Sequence, residues 1–496
     1  MWGKRSAKKR GRPPAHKKRP ATLKTYLFYD LETTGLNPAF DQVLQFAAIR
    51  TDFDLNEVER YELAIALRPD VVPSPQAMLV HRIGPGTLVD GRSEYEAVRW
   101  IHALVNRPQT ISVGYNSLGF DDEFLRFAFY RNLLPPYTHQ YHHECGRMDL
   151  LPFAAVYRLF KPAVLQWPED NGQPSLKLDA LATANRLAAP PFHTAMSDVT
   201  ALVALARRFK TEADTWEYLC SRFDKAVDQD CIRQTPPLFT SPAGPHRLTL
   251  LVSSEFGGTN AHLAPALGLG ASTAYANQRL WLRLDWPELA EAAVTNVPDT
   301  TRVVRKKYGE PPLVLPPLPR YWAQLDAPRR TLAQQNLERL QRQPRLLAEI
   351  AAYHRAYRYP EVPEVDPDAA LYDHGFWQKD DLAAFDRWHQ APVETRPSLI
   401  ERFADPLARI LATRILFRNF PGPHPEPIEK ARRAHFERID PPRGAPPPVD
   451  YRGRPRLTPA AAREEIAGLL SQADITEADR RLLVDLDRFV AERFGD

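Results

Sequence analysis

Cysteine is scarce in this chain. Its 496 residues include three, Cys145, Cys220 and Cys231, widely spaced and without a CxxC pair. That excludes a disulfide framework and a cysteine-built zinc site, and it suits a reducing cytoplasm. Long apolar runs are also missing. No stretch of about 18 apolar residues occurs, so no membrane-spanning helix is expected. The basic N-terminus has no apolar segment behind it, which argues against a secretory signal. No internal repeat is visible. Finally, residues 1–24 contain no acid, although they hold ten lysines and arginines. The net charge is +4, so the chain beyond that tail carries −6, and the basic balance belongs to the tail rather than to a folded surface.

What is present is ordinary for a globular protein, with 44% hydrophobic and 25% charged residues. The length implies two or three domains. Residues 1–24, rich in Lys, Arg and Pro, read as a disordered basic tail. From 25 to 208 the pattern is α/β. Strand-like runs at Tyr26–Tyr29, Gln45–Thr51 and Thr110–Gly114 alternate with helical patterns at Glu94–Val105, Asp121–Arg131 and Asp198–Phe209. Residues 210–245 read as a connection ending in the turn-rich TPPLFTSPAGP. A smaller β-rich domain is expected over 214–358, and amphipathic helices between Pro-rich breaks over 361–485.

The stretch YLFYDLETTGLNP puts two acids, Asp30 and Glu32, at the end of an apolar strand. Strand period is two, so both carboxylates face the same way and Leu31 faces the core. Crowded carboxylates are tolerated if cations sit between them, and oxygen-only ligation favours Mg²⁺ or Mn²⁺ over Zn²⁺. Alone, the pair is as well explained as a solvated strand end. A second acid, Asp121, follows the turn GYN and opens a helix, where acids also complement the helix dipole. A third piece, FHTAMSD, places His193 five residues before Asp198 near the start of a late helix. The adjacent histidines of HHEC, by contrast, have no second ligand pair and do not read as a zinc site.

FYDLETTG, GYNSLGFDDEFLRFAFYRN and HTAMSD together resemble the three motifs of the DEDDh superfamily of 3′→5′ exonucleases, which share an RNase H-like fold. A finer resemblance, to the exodeoxyribonuclease I family, extends through QFAAIRTD, WPEDNGQPSLKLDALATAN, ALYDHGF and FRNFPG and covers roughly residues 25–485. It implies an exonuclease domain, an SH3-like domain and a helical C-terminal domain around a DNA groove. It also implies that Asp30, Glu32 and Asp198 bind two Mg²⁺ ions, with Mn²⁺ as the alternative, that Asp121 completes the cluster, and that His193 takes the proton from the attacking water. The substrate would be single-stranded DNA, cut to deoxynucleoside 5′-monophosphates in DNA repair and recombination. Glu32, Lys177 (where the family has arginine), Arg126, Tyr137 and Tyr141 fall at positions resembling substrate contacts. Gly35 and its two threonines would let the backbone approach the 3′-terminal nucleotide.

By the same resemblance, the C-terminal tail of single-strand DNA-binding protein is an expected partner, near Arg329, Arg330 and Arg339. TRVVRKKYG offers Arg302, Arg305, Lys306 and Lys307 as a phosphate track or as a solvated loop. A monomer in the cytoplasm, associated with the nucleoid, is expected. The alternatives are an RNase or proofreading exonuclease of the same superfamily, and an inactive single-strand-binding scaffold. The tail motif Gly11-Arg12-Pro13 resembles a minor-groove hook, against the plainer reading of a nonspecific cationic arm.

Overall fold

The computed structural model describes residues 24–88, 91–170, 172–188, 194–442 and 444–495. His193 and nearly all of the basic tail lie outside them. Five strands form the first sheet: β1 (Thr25–Thr33), β2 (Val43–Thr51), β3 (Glu57–Ala64), β4 (Thr110–Gly114) and β5 (Gly146–Asp149), in the order β3-β2-β1-β4-β5. The hairpin pairs β1–β2 and β2–β3 are antiparallel, whereas β1–β4 and β4–β5 are parallel. This mixed order is that of an RNase H-like sheet.

Alternation along β1 divides the core. Tyr26 and Phe28 turn to one face, where they pack with Val199, Leu202 and Ala206 of the helix Ala195–Lys210. Leu27, Tyr29 and Leu31 turn to the other, against Ile101 of Glu94–Val105 and Phe124 and Ala128 of Asp121–Arg131. Leu31 is 5% exposed, so the residue between the two acids is core.

The second sheet is antiparallel throughout, with strands Leu248–Val252, Leu263–Ala271, Gln278–Arg283, Val303–Lys307 and Leu313–Leu315. The expected connection at 210–245 contains two helices, Ala213–Ser221 and Lys225–Gln234, and the β-rich segment also holds the helices Ala327–Arg342 and Pro344–Ala356. The remaining chain is helical, through Glu477–Phe494.

The three parts share their cores. Leu250, Val252, Leu263 and Leu315 of the second sheet pack with Phe153 and Trp216 in the same cluster as Tyr26 and Phe28. Phe40, Tyr95 and Phe127 pack with Trp388, Leu411 and Ile415 of the C-terminal helices. Burial at about 0.8 kcal/mol per CH₂ across such shared surface stabilises the association of the parts.

Candidate active site

Asp30 and Glu32 project from the end of β1, opposite Ala47 and Gln45 of β2, with a register shift just beyond at Glu32/Thr33. The helix Ala195–Lys210 crosses the same face, and Asp198 stands in its first turn. Thr194 caps that helix by accepting from the Ser197 backbone N–H at 3.3 Å. Carboxylate oxygens of Asp30, Glu32 and Asp198 all lie within 4.8 Å of one another. Asp121 is the first residue of its helix, and its negative charge is felt at both Asp30 and Glu32.

Among the described residues, no arginine or lysine pairs with Asp30, Glu32 or Asp121. Burial, reinforced by repulsion from Asp121, Glu32 and Asp198, pushes the Asp30 carboxyl well above the usual carboxylate range. Burial, with repulsion from Asp198 and Asp121, pushes Glu32 up to about 8. Burial likewise raises Asp121 to about 8. Carboxylates gathered at one place, with no arginine or lysine on Asp30, Glu32 or Asp121 among the described residues, make a good cation site. Its donors are all oxygen, which fits a hard divalent ion such as Mg²⁺ or Mn²⁺.

A second constellation has metal-ligand spacing: Asp70, Asp368 and His435, all buried. Protein cations already fill it. Arg418 reaches Asp70 at 2.6 Å and Asp368 at 2.5 Å, Arg414 reaches Asp368 at 2.9 Å, and Arg68 reaches Asp70 at 3.2 Å. Burial holds the His435 ring neutral, pushed down to about 4. This set is structural.

The structure adds supporting residues that sequence reasoning missed. Asp149 closes β5 and accepts from the backbone N–H groups of Asn116 (2.8 Å) and Leu151 (3.0 Å), fixing the turn that leads into the Asp121 helix. Like Asp30 it ends a strand, but that strand is the short GRMD with Arg147 in it, so no apolar run marks it in the sequence. His81 bridges Ile83 and the catalytic strand: its Nδ1 accepts from the Ile83 N–H at 3.0 Å, which leaves Nε2 to donate to the Thr33 carbonyl at 3.2 Å. Gly35 also has a packing reason. A Cβ there would collide with the Asp41 carboxylate, which accepts from Thr34 Oγ1 (3.1 Å) and the Asn37 N–H (2.8 Å).

The expected substrate contacts fall in different settings. Lys177 is exposed and lies 3.3 Å from Asp170. Tyr141 is 67% exposed. Tyr137 is half-buried, with the Arg126 guanidinium over its ring. Arg126 itself is 4% exposed and pairs with Asp122 at 2.7 Å and with Glu123, so it braces the Asp121 helix rather than presenting a surface cation. The basic stretch at 302–307 is an edge strand rather than a loop, and Lys306 cannot belong to a surface track: it is fully buried and paired with Asp228 at 2.7 Å. Arg329 is committed to Asp285 at 2.6 Å, and Arg339 to the carbonyls of Leu289 and Ala292.

A family model described as exonuclease matches residues 27–206, the stretch that contains all four acids. That stretch carries the likeness to an exonuclease domain. The domain is 38% identical over 206 residues to exodeoxyribonuclease I of Escherichia coli, an alignment covering 40% of this chain and 43% of that relative's length. The likeness in fold runs further than the likeness in sequence. E. coli exonuclease I, solved in complex with a dA16 oligonucleotide, superimposes with a TM-score of 0.79 at 26% identity, over 95% of this chain and 100% of that one. A solved SSB/exonuclease I complex with the inhibitor CFAM gives a TM-score of 0.77 at 25% identity, over 95% of this chain and 100% of that one. The likeness in fold therefore extends well beyond the stretch that the family model matches. Among the described residues, no helix is long and apolar enough to cross a membrane.

Proposed function

We propose that this chain is a 3′→5′ exodeoxyribonuclease that shortens single-stranded DNA from its 3′ end, releasing deoxynucleoside 5′-monophosphates in DNA repair and recombination. The observation that carries the proposal is the convergence of Asp30, Glu32 and Asp198 within 4.8 Å. Two Mg²⁺ ions, or Mn²⁺ in their place, held by these three carboxylates would supply an activated water and charge neutralisation at the scissile phosphate. The chain's own residues do the rest. Asp121, fixed at a helix start by the Asp149 turn, adds the charge that keeps the cluster's demand for cations high. Glu32 borders the 3′-terminal nucleotide. His193 takes the proton from the attacking water, a task suited to an imidazole near its ordinary pKa of about 6.5. Lys177, Tyr141 and Tyr137 meet the strand, the rings by stacking without reading sequence; Arg126 shapes that surface by holding its helix.

The same proposal takes 25–208 as the exonuclease domain, 214–358 as an SH3-like domain and 361–485 as a helical domain, acting as a monomer in the nucleoid-associated cytoplasm. It includes the tail of single-strand DNA-binding protein as a partner, supported by the SSB/exonuclease I likeness. The test is direct. Purified protein and an Asp198→Ala variant are incubated with Mg²⁺ and 5′-labelled single-stranded DNA, duplex DNA or RNA. A descending ladder on single-stranded DNA, absent in the variant, is expected. Preference for RNA or duplex would overturn the substrate, and full activity in the variant would overturn the metal assignment.

A further inference from the structure

Glu32 stands where the sheet stops holding its own strand. β1 pairs with β4 only over Thr25–Phe28, so beyond Phe28 its remaining ladder is the one to β2. That ladder shifts register between Glu32 and Thr33. A shift of this kind releases the backbone from regular pairing and re-aims the side chains beside it. Asp30 is less affected, because it lies two residues inside the regular part, opposite Ala47.

Two bonds from outside the sheet take over at this point. His81 Nε2 donates to the Thr33 carbonyl at 3.2 Å, and the Ser74 backbone N–H donates to the Thr34 carbonyl at 2.7 Å. Ser74 and His81 bracket one short helix, Pro75–His81, as its N-cap and its last residue. His81 is buried, and its Nδ1 is occupied by the Ile83 N–H at 3.0 Å, so ring orientation and tautomer are both fixed.

Seven residues make a helix too short to hold itself. Two C-terminal helices hold it. Met78 packs with Ile466 of Pro459–Leu470 and with Leu483 and Leu486 of Glu477–Phe494. On one flank Arg82 pairs with Asp479, in the first turn of Glu477–Phe494, and a Cβ on Gly84 would lie 3.3 Å from Leu482. On the other flank Arg493, in the last turn of that helix, donates to the carbonyls of Pro69 (3.2 Å) and Leu67 (3.4 Å). One helix thus clasps both sides of the segment that grips the strand after Glu32.

We infer that His81 is a positioning residue for Glu32, held in place by the helix Glu477–Phe494, so that a carboxylate near the start of the sequence takes its position from a helix more than four hundred residues away. The part Glu32 plays at a metal rests on the proposed function; the grip on its strand does not.

The experiment compares His81→Asn with His81→Gln. Asparagine can still accept from Ile83 but is too short to reach Thr33, whereas glutamine carries an N–H donor out to where Nε2 stands. Mn²⁺ binding to the DNA-free protein is measured by calorimetry, and kcat and KM on a single-stranded oligonucleotide in Mg²⁺. His81→Asn is expected to weaken Mn²⁺ binding about tenfold and to lower kcat with KM little changed, and His81→Gln to restore both. Unchanged Mn²⁺ affinity in His81→Asn, with only a lower Tm, makes the histidine structural and overturns the inference, as does a rise in KM at constant kcat. Asp479→Ala should give the same signature more weakly and add nothing to His81→Asn in the double variant; additive losses sever the helix from the site. If the parent cuts no DNA yet its Mn²⁺ affinity still falls with asparagine and returns with glutamine, the positioning stands and the nuclease reading falls.

Discussion

Two groups of four acids sit in this molecule, and they behave in opposite ways. Asp30, Glu32, Asp121 and Asp198 meet where the exonuclease sheet ends; Asp70, Glu94, Asp366 and Asp368 meet where that domain joins the C-terminal helices. In the second group Arg68, Arg131, Arg414, Arg418 and Arg456 supply positive charge. Attraction to Arg418 and Arg68 overcomes burial and holds Asp70 well below the usual carboxylate range, and Arg414 and Arg418 do the same for Asp368. In the first group burial acts with repulsion, from the other acids of the group at Asp30 and Glu32 and from Asp149 and Asp122 at Asp121, and pushes all three up. The number of acids is the same, so it cannot tell a cation site from a structural one. The supply of protein cations around Asp30, Glu32 and Asp121 on one side, and around Asp70 and Asp368 on the other, can.

The sharpest way to break this comparison is to neutralise one acid in each group. Asp30→Asn should lower nuclease activity in Mg²⁺ by roughly 10²–10³-fold and raise the Tm in EDTA, because a repulsion is removed. Asp368→Asn should do the reverse. It leaves buried guanidinium groups short of a partner, so stability should fall by about 3–5 kcal/mol, read as a lower urea midpoint, while activity in the cold is largely kept. If Asp30→Asn destabilised the metal-free protein, the repulsive character of the first group would be refuted.

How much of this was legible in the sequence follows from the same contrast. Asp30 and Glu32 stand out because acids interrupt an apolar run, and Asp121 and Asp198 because each opens an amphipathic helix. The sequence shows local patterns, and these four announce themselves locally. Asp70 does not: its partner Arg418 is 348 residues away and reads as one cation among many on a helix. Strand β3 was invisible for a related reason. EVERYELA lies at the sheet edge with most side chains exposed, so nothing apolar alternates. Gly146–Asp149 is too short to show a period. Shared cores between the three parts leave no trace either, since an apolar face reads the same whichever part covers it.

Acidity offers a subtler separation. Glu32 and Asp121 have folded-state values raised to about 8 from ordinary values of 4.5 and 3.8, so the folded protein holds protons that the unfolded chain has lost. The stability they contribute is present below about pH 4 and is lost as pH rises through 8. The Asp70–Asp368 group has the opposite sign: its contribution is present above about pH 4 and is lost on acidification below it. In EDTA, therefore, Tm should fall between pH 5 and pH 8, and Mg²⁺, which replaces those protons, should stabilise more at pH 8 than at pH 6. In Asp368→Asn the loss of stability below pH 4 should be blunted while the alkaline slope persists. A Tm in EDTA that is flat from pH 5 to pH 8 would contradict the raised values.

The smallest effect belongs to a pair that has opposite charges but no burial. Lys177 and Asp170 lie 3.3 Å apart with side chains 69% and 55% exposed, in water that screens them. Lys177→Ala should change stability by less than about 0.5 kcal/mol, in contrast to any cut in the buried groups. If Lys177 meets a substrate phosphate, the same variant should raise KM for a single-stranded oligonucleotide with little change in kcat. Lys177→Arg should then lower KM, because a guanidinium grips phosphate with two parallel bonds where an ammonium acts as a point charge. A change in kcat at constant KM would instead place Lys177 with the acids that act on the scissile bond, and the separation between charges that bind the strand and charges that cut it would have to be redrawn at that residue.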